Sequence, residues 1–220
     1  MTKFKTLLSR HAGASLARQI AFGDIIGDAS WEVDMGAAVI AFGVRAFHMQ
    51  VLGTEAEGDQ SWLWGWANAA SGIPEPLLKS ANELRAFGEA EAIDVLTERS
   101  FPLARKSGHE LALFASGVNG SSAYYRAPYS GGALYVLITN PGVPPVEETP
   151  DERVPTILAQ MLQMFDLDHG IATRSFLRDA GFAIEERDNV IQATRRQSTL
   201  TLGFDDQGRL ANIDGKLKAD

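Results

Sequence analysis

Phe4, Leu7, Leu8, His11, Ser15, Leu16, Gln19 and Ile20 recur at three- and four-residue spacing, which predicts an amphipathic helix over residues 3 to 22 with Gly23 placed to end it. The period then changes. From Trp31 to Phe42 apolar residues fill nearly every position, after an opening in which Glu32 and Asp34 alternate with Trp31, Val33 and Met35, and this reads as one strand entering a covered sheet. "FHMQVLGT" alternates again, "EAEGDQ" is a polar turn, and the run from Trp62 to Asn68 completes an antiparallel meander. "SGIPEPLLKSANELRAFGE" is helical, with prolines suited to a first turn and Gly88 as the stop. A further helix is predicted from His109 through Val118 toward Tyr125, and "ALYVLITN", residues 133 to 140, is a short buried strand.

"PGVPPVEETP", residues 141 to 150, has no period and is the best internal linker. Thr149, Pro150, Asp151 and Glu152 resemble a helix start, and Asp168 can cap a short helix ending near Gly181. Residues 182 to 217 divide into up to four short strands, with turns at "RDN", "RRQS" and "DDQGR". The fold class expected is α+β: antiparallel meander sheets packed by amphipathic helices, an N-terminal helix followed by strands, then C-terminal helices followed by short strands. The chain reads as a single domain over 1 to 220, with two helix-then-meander halves divided near 141 to 150 as the alternative.

Composition narrows the chemistry. Lys and Arg total 20 against 28 Asp and Glu, and the net charge of -8 repels phosphate backbones, so no nucleic-acid partner is expected. With no cysteine, thiol catalysis, disulfides and thiolate metal sites are excluded, and the four histidines do not stand at metal-ligand spacing. No metal and no cofactor are expected. The opening residues carry no secretory apolar core and no run approaches the ~20 residues that span a bilayer. A cytoplasmic protein with no membrane association is the expectation.

No nucleophile elbow and no glycine-rich phosphate loop occurs. "HELALF" at 109 to 114 begins like a zinc helix but has Leu113 where the second histidine belongs, and "DLDHG" at 166 to 170 reads as a helix cap. What remains is aromatic. On an extended strand Trp62, Trp64 and Trp66 project from one face, with Asn68 one step further, and three indoles in line supply either a block of core or a ligand-stacking ladder. Tyr124, Tyr125 and Arg126, in "AYYRAPY", combine amphipathic rings with a cation fitted for bidentate contact.

"LGTEAEGDQSWLWGWAN", "LRAFGE" at 84 to 89 and "AYYRA" at 123 to 127 together resemble a family of uncharacterised bacterial proteins, marked by a Gly-Thr turn and a Trp-rich strand ending Trp-Ala-Asn, over residues 31 to 138. The resemblance implies no activity and no catalytic residues. The expected function is therefore binding, of a protein partner or a small ligand, by a surface between the Trp-rich strand and a helix carrying Tyr124 to Arg126. The competing expectation is a hydrolase acting on a sugar or phosphate, with Glu55, Glu57 or Asp59 and His48 on a neighbouring strand.

Overall fold

The computed structural model describes residues 1 to 120 and 123 to 218. It is α+β, and the chain divides into two compact units, one of Gln19–Val143 and one of Met1–Arg18 with the chain from Pro144 onward. One continuous helix, α1 (Lys3–Ile26), contributes to both. It passes through Gly23 and stops where Gly27 takes a left-handed conformation, φ 54°. Gly23 has open space around it, so nothing forces the helix to end there.

In the 19–143 unit, the segment from Trp31 to Phe42 is a hairpin rather than one strand: β1 (Trp31–Asp34) and β2 (Val39–Phe42) pair antiparallel. Asp34 Oδ1 accepts from the Ala37 amide at 2.9 Å, and this local turn competes successfully with continued extension. β3 (Arg45–Ala56) is the long central strand, and β4 (Ser61–Trp64) returns beside it. The Gly-Thr pair predicted as a turn lies inside β3, just after an irregularity at Leu52. Gly53 is required there because a Cβ would stand 2.5 Å from the Trp62 ring and 2.6 Å from the Leu63 carbonyl. After β4 come 3₁₀ turns at Gly65–Ala67, Ala69–Ser71 and Glu75–Leu78, then α2 (Lys79–Glu91), α3 (Asp94–Thr97) and β5 (Ser100–Pro102). Gly88 sits within α2, where Leu96 Cβ would come within 2.6 Å of an added Cβ, and Ala92 in the left-handed region ends the helix instead.

α4 (Gly108–Val118) opens with a capping box between Ser107 and Glu110. The helix expected to continue toward Tyr125 ends at Val118, and residues 123 to 129 form a strand, β6 (Ala123–Tyr129), paired with β7 (Gly132–Thr139). Gly117 and Gly120 weaken helical continuation, and among the described strands β6 pairs only with β7, so Pro128 lies where a missing N–H costs least. β7 also pairs with β3 along the edge opposite β2 and β4.

Partners directly opposite in an antiparallel ladder share a face. Glu55 faces Trp62, Gly53 faces both Trp64 and Tyr135, and Tyr135 faces Arg126, so Glu55, Trp62, Trp64, Tyr135 and Arg126 belong to one side of the sheet. The other side packs Met49, Val51, Val136 and Ile138 against Phe22 of α1 and against Ile40 and Phe42. Trp62 and Trp64 are fully buried and meet edge to face at 5.3 Å, Trp62 meets Tyr135 at 5.4 Å, and the Trp64 indole N–H donates to the Val95 carbonyl at 2.9 Å.

In the other unit, α5 (Val154–Met164) and α6 (His169–Asp179) precede a four-stranded antiparallel meander of β8 (Ala183–Arg187), β9 (Val190–Arg195), β10 (Ser198–Phe204) and β11 (Leu210–Lys216). The proposed helix start at Thr149 is a 3₁₀ turn, Asp151–Arg153, and α5 begins at Val154 because the Asp151 side chain turns to Arg195 instead of capping. Asp168 caps α6 as expected, accepting from the Ile171 amide at 2.8 Å. Gly13 of α1 lets Phe176 close in, since a Cβ there would fall 2.3 Å from the Phe176 Cβ.

Candidate functional site

The polar side of the large sheet is organised by Glu55. Its Oε1 accepts from the Tyr135 hydroxyl at 2.9 Å and from the Gly108 amide at 3.2 Å, and its Oε2 accepts from Arg126 Nε at 3.1 Å. β3, β7, β6 and the first turn of α4 each bring one of these groups. Gly108 has no substitute, because a Cβ would lie 2.6 Å from both Glu55 Oε1 and the Tyr135 ring. Glu55 is only 12% exposed and Arg126 is 33% exposed, so the carboxylate is largely desolvated and its three donors replace water. Burial and the bond to Glu55 push the Tyr135 hydroxyl far above its ordinary value.

Beside this cluster, His109 Nδ1 lies 3.1 Å from the Tyr124 hydroxyl, and the His109 ring meets Tyr135 edge to face at 5.5 Å. Although His109 as a residue is exposed, its ring is shielded by these tyrosines, and that desolvation lowers its pKa; the Glu55 charge acts against this and the Arg126 charge with it.

Successive strand residues serve opposite faces, so Thr54 and Leu134 look away from Glu55 and Tyr135. There they help line an open cavity of about 460 Å³ with Met35, Asn68, Ser71, Ile73 and Tyr129. Its walls are mostly apolar, and no acid or base other than the Tyr129 phenol lines it. The side chains of Thr54, Asn68, Ser71 and Tyr129 have no hydrogen-bond partner among the described residues.

The residues singled out from the sequence are thus dispersed. Trp62 and Trp64 present no ring to solvent. Trp66 is off the strand, in the 3₁₀ turn after it, half-buried beneath the Arg85 guanidinium at 4.6 Å, so the three-indole ladder does not form. Asn68 lines the cavity. Tyr124 and Arg126 lie together on the Glu55 side, whereas Tyr125 points the other way against Phe42 at 4.7 Å and Trp31 at 6.2 Å. Because all three lie on a strand, the expected groove between the Trp-rich strand and a helix carrying Tyr124 to Arg126 is absent.

The acids proposed for hydrolysis also separate. Glu57 and Asp59 are exposed at a hairpin tip, Asp59 accepting from Ser61 Oγ at 2.6 Å, while Glu55 is in β3. His48 is on β3 itself, seven residues and therefore roughly 23 Å from Glu55. Tyr135 and Gly108 were not singled out, and His109 was weighed only as the start of a helix with an incomplete zinc pattern; the Ser107-x-x-Glu110 pair is the sequence signal that sets it in a helix first turn. No group of three or more His, Asp or Glu among the described residues could hold a metal ion, and no helix there is long and apolar enough to cross a membrane.

Comparison with curated proteins and with solved structures gave no match. The model of a family of unknown function, DUF6882, matches residues 5 to 141, which take in the Glu55 cluster and the cavity, and the chain belongs to that family.

Proposed function

We propose that the protein binds a small, uncharged, amphipathic molecule in the cavity bordered by Thr54, Asn68, Ile73, Tyr129 and Leu134. The observation that carries this reading is the pairing of apolar walls with four polar side chains that have no internal partner. Small-ligand sites are commonly clefts of about 300 to 1,000 Å³ with apolar walls and a few polar groups that fix orientation, and this cavity falls within that range. Met35, Ile73 and Leu134 receive the hydrocarbon part; Asn68, Ser71 and Thr54 read a hydroxyl or amide. A carboxylate would enter without a cation to meet it, in a chain of net charge -8, and is disfavoured.

The test is a thermal-shift and NMR titration with medium-chain aliphatic alcohols and amides beside the matching carboxylates. Ligand that binds only the folded chain raises the melting temperature in proportion to its saturation. The alcohols and amides are expected to do so and to shift the Asn68 side-chain amide, the carboxylates to do neither, and Ile73→Arg to remove the effect while the fold persists. Equal stabilisation of parent and Ile73→Arg, or none by any uncharged member, defeats the reading.

A further inference from the structure

The unit of α5, α6 and the meander has a cavity of its own, about 230 Å³, bordered by the start of α6, the β8–β9 turn and the β10–β11 turn. Hydrogen bonds close a ring around it. Arg174 Nε donates to both Glu186 oxygens, at 2.9 and 2.8 Å, and ties α6 to β8. The Phe204 amide donates to the Asn189 carbonyl at 2.8 Å and ties the two turns together. The Leu210 amide donates to His169 Nδ1 at 3.1 Å and brings the ring back to α6. Asp205 locks the second turn by accepting from the Gln207 and Arg209 amides, each at 2.9 Å. On the α6 side the wall is Gly170, where a Cβ would stand 2.5 Å from Arg174 Nη1 and 3.5 Å from Asp168 Oδ1, so guanidinium and carboxylate come together over bare backbone. The side chains of Asp188, Asn189 and Gln207, which also line the cavity, have no hydrogen-bond partner among the described residues.

We propose that this cavity binds a neutral polyhydroxylated ring, of the monosaccharide or cyclitol class. An anion entering it meets the carboxylates of Asp168, Glu186 and Asp188, and a cation meets the Arg174 guanidinium over Gly170, so a free ion of either sign faces its own charge. A hydroxyl avoids both. It donates to a carboxylate and accepts from a guanidinium or an amide, so one ring carrying several hydroxyls can satisfy Asp188, Asn189, Gln207 and Arg174 together. The Phe204 ring, overlain by the Arg174 guanidinium at 6.0 Å, gives the C–H side of such a ring an apolar wall. The volume is below the about 300 to 1,000 Å³ of clefts that take drug-sized molecules, which suits a single ring rather than a chain. Because the ring of hydrogen bonds holds the three walls before anything enters, little ordering remains to be done on binding.

These residues lie outside the stretch 5 to 141 that the family model matches and in a different unit from the cavity at Thr54 and Asn68, so the two sites stand or fall independently. The test is an NMR titration of the isotope-labelled full chain with D-glucose, D-galactose and myo-inositol, each alone, beside ethanolammonium chloride and sodium acetate as charged counterparts. At least one of the three neutral compounds is expected to give saturable shifts at the Gly170 backbone amide and the Asn189 and Gln207 side-chain amides, with half-saturation in the millimolar range; the two ions should saturate only at higher concentration or not at all. Gly170→Ala puts a Cβ where Arg174 Nη1 now lies and should weaken binding about tenfold, without lowering the melting temperature because alanine is the better helix former. Asp188→Gly keeps the left-handed turn, φ 52°, loses the carboxylate and should weaken binding severalfold. No saturable shift from any of the three, tighter saturation by either ion, or saturation that neither variant alters overturns the proposal.

Discussion

His109 and His11 are both held below the ordinary imidazole value of 6.5, each chiefly by burial, with Arg18 and Arg10 adding to the effect at His11. In the unfolded chain both take up a proton near that value, whereas the folded protein resists until the pH is lower. Their contribution to stability is therefore complete above about 6.5 and is lost as the pH falls through the depressed folded values. Urea denaturation should show a midpoint that declines between about pH 7 and pH 5, and His109→Gln and His11→Gln should each flatten the decline. A midpoint that rises or stays level over that interval contradicts it. Asp151, Asp179 and Asp205 are shifted too, Asp179 upward and the other two downward, and act from the carboxylate range. None of this could be read from the chain, because what sets a pKa is a neighbour brought in from afar. Glu55 looked like one of three acids in a turn, and the groups that remove it from solvent, Arg126 and Tyr135, are 71 and 80 residues away. The tryptophan pattern, by contrast, carried half of its meaning: alternation put Trp62 and Trp64 on one face, and only the end of β4 at Trp64 was missed, since nothing local distinguishes a strand's last residue from the first of a 3₁₀ turn.

Elements with a self-contained signal were legible. The meander of β8 to β11 follows from alternation, Ile191, Ala193 and Arg195 against Leu200 and Leu202 on the buried face, interrupted by turn residues. β6 was read as helix because "SSAYYRA" has no alternation; its character comes from pairing with β7, an interaction outside any local window. Arg195 is the exception in its own strand, a cation at a core position. It is 8% exposed, bonds Asp151 through Nε at 2.7 Å, donates to the carbonyls of Glu147, Thr149 and Ala180, and lies 4.6 Å above the Phe182 ring. Burial would raise the Asp151 carboxyl, but Ser198 and Arg195 together hold it below the usual value. One side chain thus fastens the proline-rich stretch before α5 to the end of β9, the second strand of the meander. Arg195→Met should cost about 3 to 5 kcal/mol, because it strands a buried carboxylate, and adding Asp151→Leu should recover part of that. Two equal single-variant losses that sum in the double variant would show the pair to be uncoupled; chemical denaturation of the three proteins decides it.

At the scale of the molecule, helix-then-strand order in each half made the α+β class legible, and the boundary between Val143 and Pro144 falls inside the 141 to 150 stretch, whereas the place of residues 1 to 18 had no signal. The unit built around α5, α6 and the meander is discontinuous, for it includes Met1–Arg18. Lys5 bonds Asp166 at 2.6 Å and Ser9 Oγ accepts from the Asp168 amide at 2.9 Å, across separations of 161 and 159 residues. No periodicity in residues 3 to 22 announces which distant segment its apolar stripe will meet. A fragment of residues 144 to 220 should accordingly remain without cooperative unfolding alone and gain it when a peptide of residues 1 to 18 is added, by circular dichroism on heating; a fragment that melts cooperatively by itself refutes this. The same discontinuity bears on synthesis. Phe4, Leu8 and Ala12 lie on the stretch of α1 around Lys5, which leaves the ribosome 161 residues ahead of Asp166, and they stay uncovered until the chain around Asp166 and Phe176 has emerged, a delay of roughly 8 to 32 s at about 5 to 20 residues per second. For that interval a nascent apolar helix is open to chaperones or to neighbouring chains, so slowing translation anywhere between residues 12 and 166 should lower soluble yield more than slowing it beyond residue 176.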